Sequence, residues 1–116
     1  MHAAIRVAAP IDQQAELDAW LAQPSGNRRA VIAESGFGPL EAPEGVPLAR
    51  LAPGCVCCVG QVPLRVTLTR TVRAHRPDAI LLLLASAQHL ARVRALLADG
   101  SLGVRFHVHL DGDTTD

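Results

Sequence analysis

Lysine is missing from the sequence, and all eleven basic residues of the 116-residue chain are arginines. A P-loop uses a lysine to neutralise the phosphates of its nucleotide, so the absence excludes a working P-loop nucleotidase. The chain also has no net charge and only three aromatic residues, so nothing in its composition indicates a nucleic-acid surface or a base-stacking platform. Four arginines are spaced along one predicted helix and are expected on its solvated face: Arg65, Arg70, Arg73 and Arg76.

Targeting and membrane signals are also missing. The start, Met1 to Pro10, has no basic region followed by a long apolar stretch. The longest apolar run, Ala79 to Ala85, is far shorter than the roughly 20 residues of a membrane span. The three cysteines form one odd-numbered cluster, which is a poor disulfide framework. We therefore expect a soluble protein of the reducing cytoplasm, without membrane or nucleic-acid partners.

What is present is an alternation of strand and helix patterns. The strands are predicted at 3–9, 30–33 with its end at Glu34, 48–52, 79–85 and 104–110. Asp12 can cap the first helix, and Ser86 can cap the third. The alternation predicts an α/β fold of three layers, a mainly parallel sheet with helices on both faces. We expect one domain over residues 1–111, followed by a frayed tail at 112–116.

Apolar residues at helical spacing predict the inward stripes of three helices. The stripes are Leu17, Trp20 and Leu21; then Val62, Val66, Thr69 and Val72, with Leu64 and Leu68 alongside; then Leu90, Val93 and Leu97. The glycine- and proline-rich stretch from Ser35 to Pro47 is predicted to be a surface loop. The last strand alternates apolar and polar residues, which is typical of a strand near a sheet edge.

The segment Gly54-Cys55-Val56-Cys57-Cys58-Val59-Gly60 contains the most specific motif of the chain. Three thiols flanked by glycines can wrap one thiophilic cation such as Zn²⁺. The N-terminus of the following helix favours their thiolate form. Small buried cysteines in a tight turn are the alternative. A Cys57–Cys58 bridge would close a strained ring and leave Cys55 unpaired.

This motif and its surroundings resemble the CobW-type P-loop GTPases, which act as metallochaperones. The Gly-Cys-x-Cys-Cys motif of that family is matched at 54–58, and its Asn-Glu-Phe-Gly-like turn is matched by Ala33-Glu34-Ser35-Gly36. A turn of the x-Arg-Pro-Asp type is matched at 75–78. The resemblance runs from about Ile5 to Asp111 and implies a P-loop-NTPase-like core with metal bound at the cysteines.

The departures from the family concern its nucleotide site. At the place of the Gly-Lys-Thr loop the chain has Ala8-Ala9-Pro10-Ile11-Asp12-Gln13-Gln14, without glycine or lysine. Leu84-Ala85-Ser86-Ala87 replaces the acidic, threonine-rich turn, and the guanine-reading Asn-Lys-x-Asp motif is absent. The sequence thus resembles a degenerate member of the family, for which we expect no GTP hydrolysis.

Further metal ligands are predicted at the carboxyl ends of strands, because ligands gather at that edge of a parallel sheet. Glu34 is a candidate ligand, a candidate residue that supports a ligand, or only a solvated strand end. His109 and Asp111, in line with His107, are candidate ligands or simply the polar face of an edge strand, which is the favoured interpretation. His75 and His89 are interpreted as ordinary helix-surface residues.

The leading hypothesis is a metal-binding domain that handles Zn²⁺ or a similar cation, or that modulates a partner GTPase or metalloenzyme. The first alternative is a thiol redox or thiol-transfer protein that uses Cys57 or Cys58. The second is an interaction module whose cysteines are relics. A cation shared across a two-fold axis would also allow a homodimer.

Overall fold

The structure is a computed structural model that describes residues 2–23, 28–34, 40–51, 62–85, 87–98 and 105–110. Strands and helices alternate along these residues, as the sequence predicts, except that the second and third strands are consecutive. The elements in chain order are β1 (His2–Ala8), α1 (Gln13–Ala22), β2 (Arg29–Glu34), β3 (Leu48–Leu51), α2 (Val62–His75), β4 (Ala79–Leu83), a short 3-10 helix (Ala87–His89), α3 (Leu90–Ala98) and β5 (Arg105–Leu110).

The strands form one sheet in the order β3-β2-β4-β1-β5, and every strand pair is parallel. β4 lies in the centre, and all five of its residues are buried. Such a strand is apolar on both faces because both faces are covered. β5 is an edge strand, as the alternation in its sequence predicts. The three-layer α/β fold is confirmed.

The two faces of the sheet are covered by different helices. Leu17 and Trp20 of α1 pack against odd-numbered residues of β2 and β4, such as Val31 and Leu81. Residues of α2 and α3 pack together on the opposite face, against even-numbered residues of the same strands. This second cluster includes Ile32, Leu64, Leu68, Val72, Ile80, Leu82, Leu84, Val93, Leu96 and Leu97. The alternation of side chains along each strand creates the two cores.

The inward stripe of α2 agrees with the prediction at Leu64, Leu68 and Val72 but not at Val66. Leu64, Leu68 and Val72 are buried, whereas the side chain of Val66 is exposed. Apolar residues recur every second position from Val62 to Leu68, so the local sequence is compatible with more than one helical face. The face that carries the leucines packs against the sheet, since leucine side chains fill more of the space above β2 and β4 than valine does.

The described part of the predicted surface loop, residues 40–47, packs more closely than expected. Leu40 is buried in the α1 core, and Ala42 and Val46 lie against it. Gln14 of α1 forms two hydrogen bonds with the backbone of Glu41, donating to its oxygen at 3.0 Å and accepting from its nitrogen at 2.9 Å. The segment therefore forms part of the α1 layer.

Candidate functional site

The carboxyl ends of β2, β3 and β4 lie together at one edge of the sheet. Glu34 pairs in register with Leu51 of β3, and Ala33 pairs with Leu83 of β4. The chain therefore leaves all three strands at nearly the same level. This is the edge at which parallel α/β sheets bind ligands.

Glu34 is the most unusual residue at this edge, because its side chain is completely buried. The Oε1 atom accepts a hydrogen bond from the backbone nitrogen of Ala85 at 2.9 Å. The same oxygen lies 2.9 Å from Nδ1 of His89. Burying a carboxylate is costly unless hydrogen bonds replace its hydration. The interpretation of Glu34 as a solvated strand end is therefore wrong.

His89 is brought to Glu34 by the short helix that follows β4. The side chain of His89 is only 13% exposed to solvent. The interpretation of His89 as an ordinary helix-surface residue is therefore also wrong. By alternation from Ile32, Glu34 faces the layer of α2 and α3. The 3-10 helix ends at His89, and α3 begins at the next residue. The pair thus joins the end of β2 to the start of α3.

A second contact fixes the same strand end from the other side. The Nε2 atom of Gln13, the first residue of α1, donates to the backbone oxygen of Glu34 at 2.9 Å. Gln13 thereby connects the start of α1 to the end of β2.

The N-terminus of α1 is capped by the protein itself. Asp12 accepts a hydrogen bond from the backbone nitrogen of Ala15 at 3.0 Å, which confirms the predicted cap. A phosphate at this helix terminus would have to use the same orphan amides. The Asp12 carboxylate competes for them and repels an anion.

The cysteine motif lies outside the described residues, as do Asp111 and the predicted cap Ser86. The flanking elements are described: β3 ends at Leu51, and α2 begins at Val62. The motif therefore connects the carboxyl end of an edge strand to the helix that covers the Glu34 face. Among the described residues, no group of three or more His, Cys, Asp or Glu side chains could hold a metal ion.

The sheet order separates His109 from Glu34. His109 pairs with Arg6 of β1, and β5 is three strand positions from β2. At the usual strand spacing this is about 14 Å across the sheet. The fold does not bring Glu34 and His109 together as ligands of one ion, so a site shared between them is not formed.

The contact between Glu34 and His89 was missed by sequence reasoning, although a signal for it exists. Glu34 is the last residue of β2, His89 follows β4 closely, and the carboxyl ends of these two strands meet at one edge. An acidic residue and a histidine in such positions are candidates for a pair. Their separation of 55 residues leaves no local pattern to connect them.

Comparisons with protein-family models, with curated proteins and with solved structures found no match for the chain. Among the described helices, none has the length and apolar character needed to cross a membrane.

Proposed function

We propose that this chain is a CobW-like metal-binding domain without GTP hydrolysis, which binds Zn²⁺ or a similar thiophilic cation through Cys55, Cys57 and Cys58. Its role is metal handling or the modulation of a partner GTPase or metalloenzyme. The observation that carries the proposal is the motif of three thiols between glycines. Thiolates at this density select Zn²⁺ or Cu⁺ over Mg²⁺ and Ca²⁺.

The fold supports the proposal through the elements on either side of the motif. Leu51 is paired with Glu34 at the carboxyl edge, and Leu64 of α2 is buried in the core on the same side. The described elements on both sides of the cysteine motif are therefore fixed by contacts with the sheet. The positive end of the α2 dipole follows the cysteines and favours thiolates over thiols.

The capped terminus of α1 supports the absence of GTP hydrolysis. Asp12 satisfies the Ala15 amide at the helix terminus, where a nucleotide phosphate would bind, and no lysine exists in the chain to neutralise phosphates.

A titration of the reduced, metal-free chain with Zn²⁺ tests the proposal. A chromophoric chelator as competitor reports the affinity. We expect about one cation per chain, or per dimer, and loss of binding in the Cys55→Ser/Cys57→Ser/Cys58→Ser variant. Val56→Ser is the matched control, because it introduces the same hydroxyl into the segment and keeps the thiols. Equal binding by the triple variant would overturn the proposal.

A failed titration would favour one of two other functions. Reversible oxidation of Cys57 or Cys58 without metal would indicate a thiol redox protein. A triple serine variant that folds and functions normally would indicate an interaction module.

A further inference from the structure

The two helical layers of the domain carry charges of opposite sign. On one face of the sheet, α1 and the segment at 40–47 contain acidic residues and no basic residue: Glu16, Asp18, Glu41 and Glu44. On the other face, α2 and α3 contain arginines and no acidic residue: Arg65, Arg70, Arg73, Arg92 and Arg94. The chain has no net charge, but its charges are separated across the sheet.

A cleft of about 650 Å³ lies in the acidic layer, between α1 and the segment at 40–47. Its lining combines apolar side chains with two carboxylates and one amide: Leu21, Ala42, Pro43, Asp18, Glu41 and Gln14. Gln14 joins the two walls, because it donates to Oδ1 of Asp18 at 3.0 Å and also bonds with the backbone of Glu41. Among the described residues, the Glu41 carboxylate forms no ion pair. These groups suit a side chain with an apolar stem and a cationic head, such as arginine.

The outer face of α2 presents the complementary groups. Val66, Arg70 and Arg73 follow the i, i+4, i+7 spacing of one helix face, and all three are exposed. Val66 and Ile11 are the large apolar side chains that the described part of the chain exposes. Within that part, neither Arg70 nor Arg73 forms a hydrogen bond or an ion pair. This outer stripe of α2 therefore joins apolar surface to positive charge, as the cleft joins apolar surface to negative charge.

We propose that the outer stripe of α2 docks into the cleft between α1 and the segment at 40–47 of a second copy of this chain. The arginines of the stripe pair with Asp18 and Glu41, and Val66 packs against the apolar part of the lining. A helix laid into a groove is a common mode of recognition, and complementary charge steers the encounter and fixes its register. The inference is independent of the proposed function, because the cysteine motif takes no part in it.

The positions of the two surfaces determine the kind of assembly. α1 and α2 cover opposite faces of the sheet, so the cleft and the stripe of one copy cannot meet each other. The contact is therefore heterologous: copies join head to tail, each using its cleft for one neighbour and its stripe for another. Exposed ion pairs contribute little individually, so we expect weak association that depends on protein concentration and on salt.

Sedimentation velocity of the reduced full chain tests the inference, with a chelator present to exclude dimers bridged by metal. At an ionic strength of about 0.1 M, the weight-average sedimentation coefficient should rise between micromolar and millimolar protein concentrations. At about 1 M the association should weaken at least about tenfold, because the Debye length falls from about 10 Å to about 3 Å. A chain that stays monomeric throughout, or an association that does not respond to salt, overturns the inference.

Matched variants locate the two surfaces. Glu41→Gln and Glu44→Gln remove the same charge from the same segment, but only Glu41 lines the cleft. Glu41→Gln should weaken association about two- to fivefold, and Glu44→Gln should match the wild type.

The arginines are compared in the same way. Arg70→Gln/Arg73→Gln should weaken association at least about tenfold. Arg92→Gln/Arg94→Gln removes two exposed charges from α3 and should change it less than about twofold. Equal effects within either comparison overturn the assignment of the contact to the cleft and the stripe.

Mixing two variants shows whether the contact is head to tail. Asp18→Asn/Glu41→Gln retains only the stripe, and Arg70→Gln/Arg73→Gln retains only the cleft. Each variant should be monomeric alone, with the circular dichroism spectrum of the wild type. Their equimolar mixture should form a one-to-one complex that does not grow further, because only one native contact remains. A mixture that stays monomeric while the wild type associates overturns the inference. Zn²⁺ binding should be the same in these variants as in the wild type, so the proposed function is tested separately.

Discussion

Oε1 of Glu34 lies 2.9 Å from Nδ1 of His89, and this contact joins residues that are 55 positions apart in the sequence. It connects β2 to the start of α3 and replaces the hydration that the buried carboxylate has lost. The same oxygen also accepts from the backbone of Ala85, so three segments meet at one atom.

Removing this carboxylate should destabilise the fold. Glu34→Ala leaves both the Ala85 amide and the His89 ring without their acceptor, and we expect the free energy of unfolding to fall by about 3 kcal/mol. Urea denaturation of the metal-free chain measures the change. Glu44→Ala removes an exposed carboxylate and should have no measurable effect. Equal stability of the two variants would show that the buried contact is not formed.

The phase of α2 can be tested with two apolar residues of the same helix. Leu68→Ala should cost about 2–5 kcal/mol, because Leu68 is buried against the sheet. Val66→Ala should leave stability unchanged or raise it slightly, since Val66 is exposed and alanine is the better helix former. Thermal denaturation compares the two variants. A larger loss from Val66→Ala than from Leu68→Ala would contradict the burial of the leucine face.

The two hydrogen bonds between Gln14 and Glu41 should protect the segment at 40–47 from solvent. Gln14→Ala removes both bonds, and we expect the Glu41 amide to exchange its hydrogen faster. Gln14→Glu keeps the acceptor but loses the donor. The exchange rate of the Glu41 amide in this variant should lie between those of the wild type and Gln14→Ala. Hydrogen exchange followed by NMR gives both rates. Unchanged protection in Gln14→Ala would contradict the docking of this segment on α1.

The cap on α1 should contribute a modest stability. Asp12→Ala removes the acceptor for the Ala15 amide, at an expected cost of about 1 kcal/mol. Asp12→Asn retains a capping oxygen and should lose much less. Chemical denaturation resolves the difference. Neither variant should gain affinity for inorganic phosphate, because the loop still has no lysine or glycine.

Much of the fold can be read from local sequence patterns. The apolar run of β4, the alternation of β5 and the cap at Asp12 each reflect interactions within a few residues. The phase of α2 cannot be read this way, because Leu64, Val66 and Leu68 are all apolar. The sheet beneath the helix decides which of them is buried.

The candidate site is only partly readable from sequence for a similar reason. The rule for carboxyl ends of parallel strands predicts that Glu34 lies at the ligand edge. It does not reveal that His89 is its partner, since that contact depends on β4 lying beside β2 and on the turn that follows it. Nor does it reveal that β5 is distant from β2, which removes His109 from the surroundings of Glu34.

The central claim is that the three cysteines bind a thiophilic cation. X-ray absorption at the zinc edge of the reduced, Zn²⁺-loaded wild-type chain tests it most directly. We predict a first shell dominated by sulfur at about 2.3 Å, with a lighter ligand at about 2.0–2.1 Å. A shell of oxygen or nitrogen alone, or a chain that retains no zinc after dialysis, would contradict the claim.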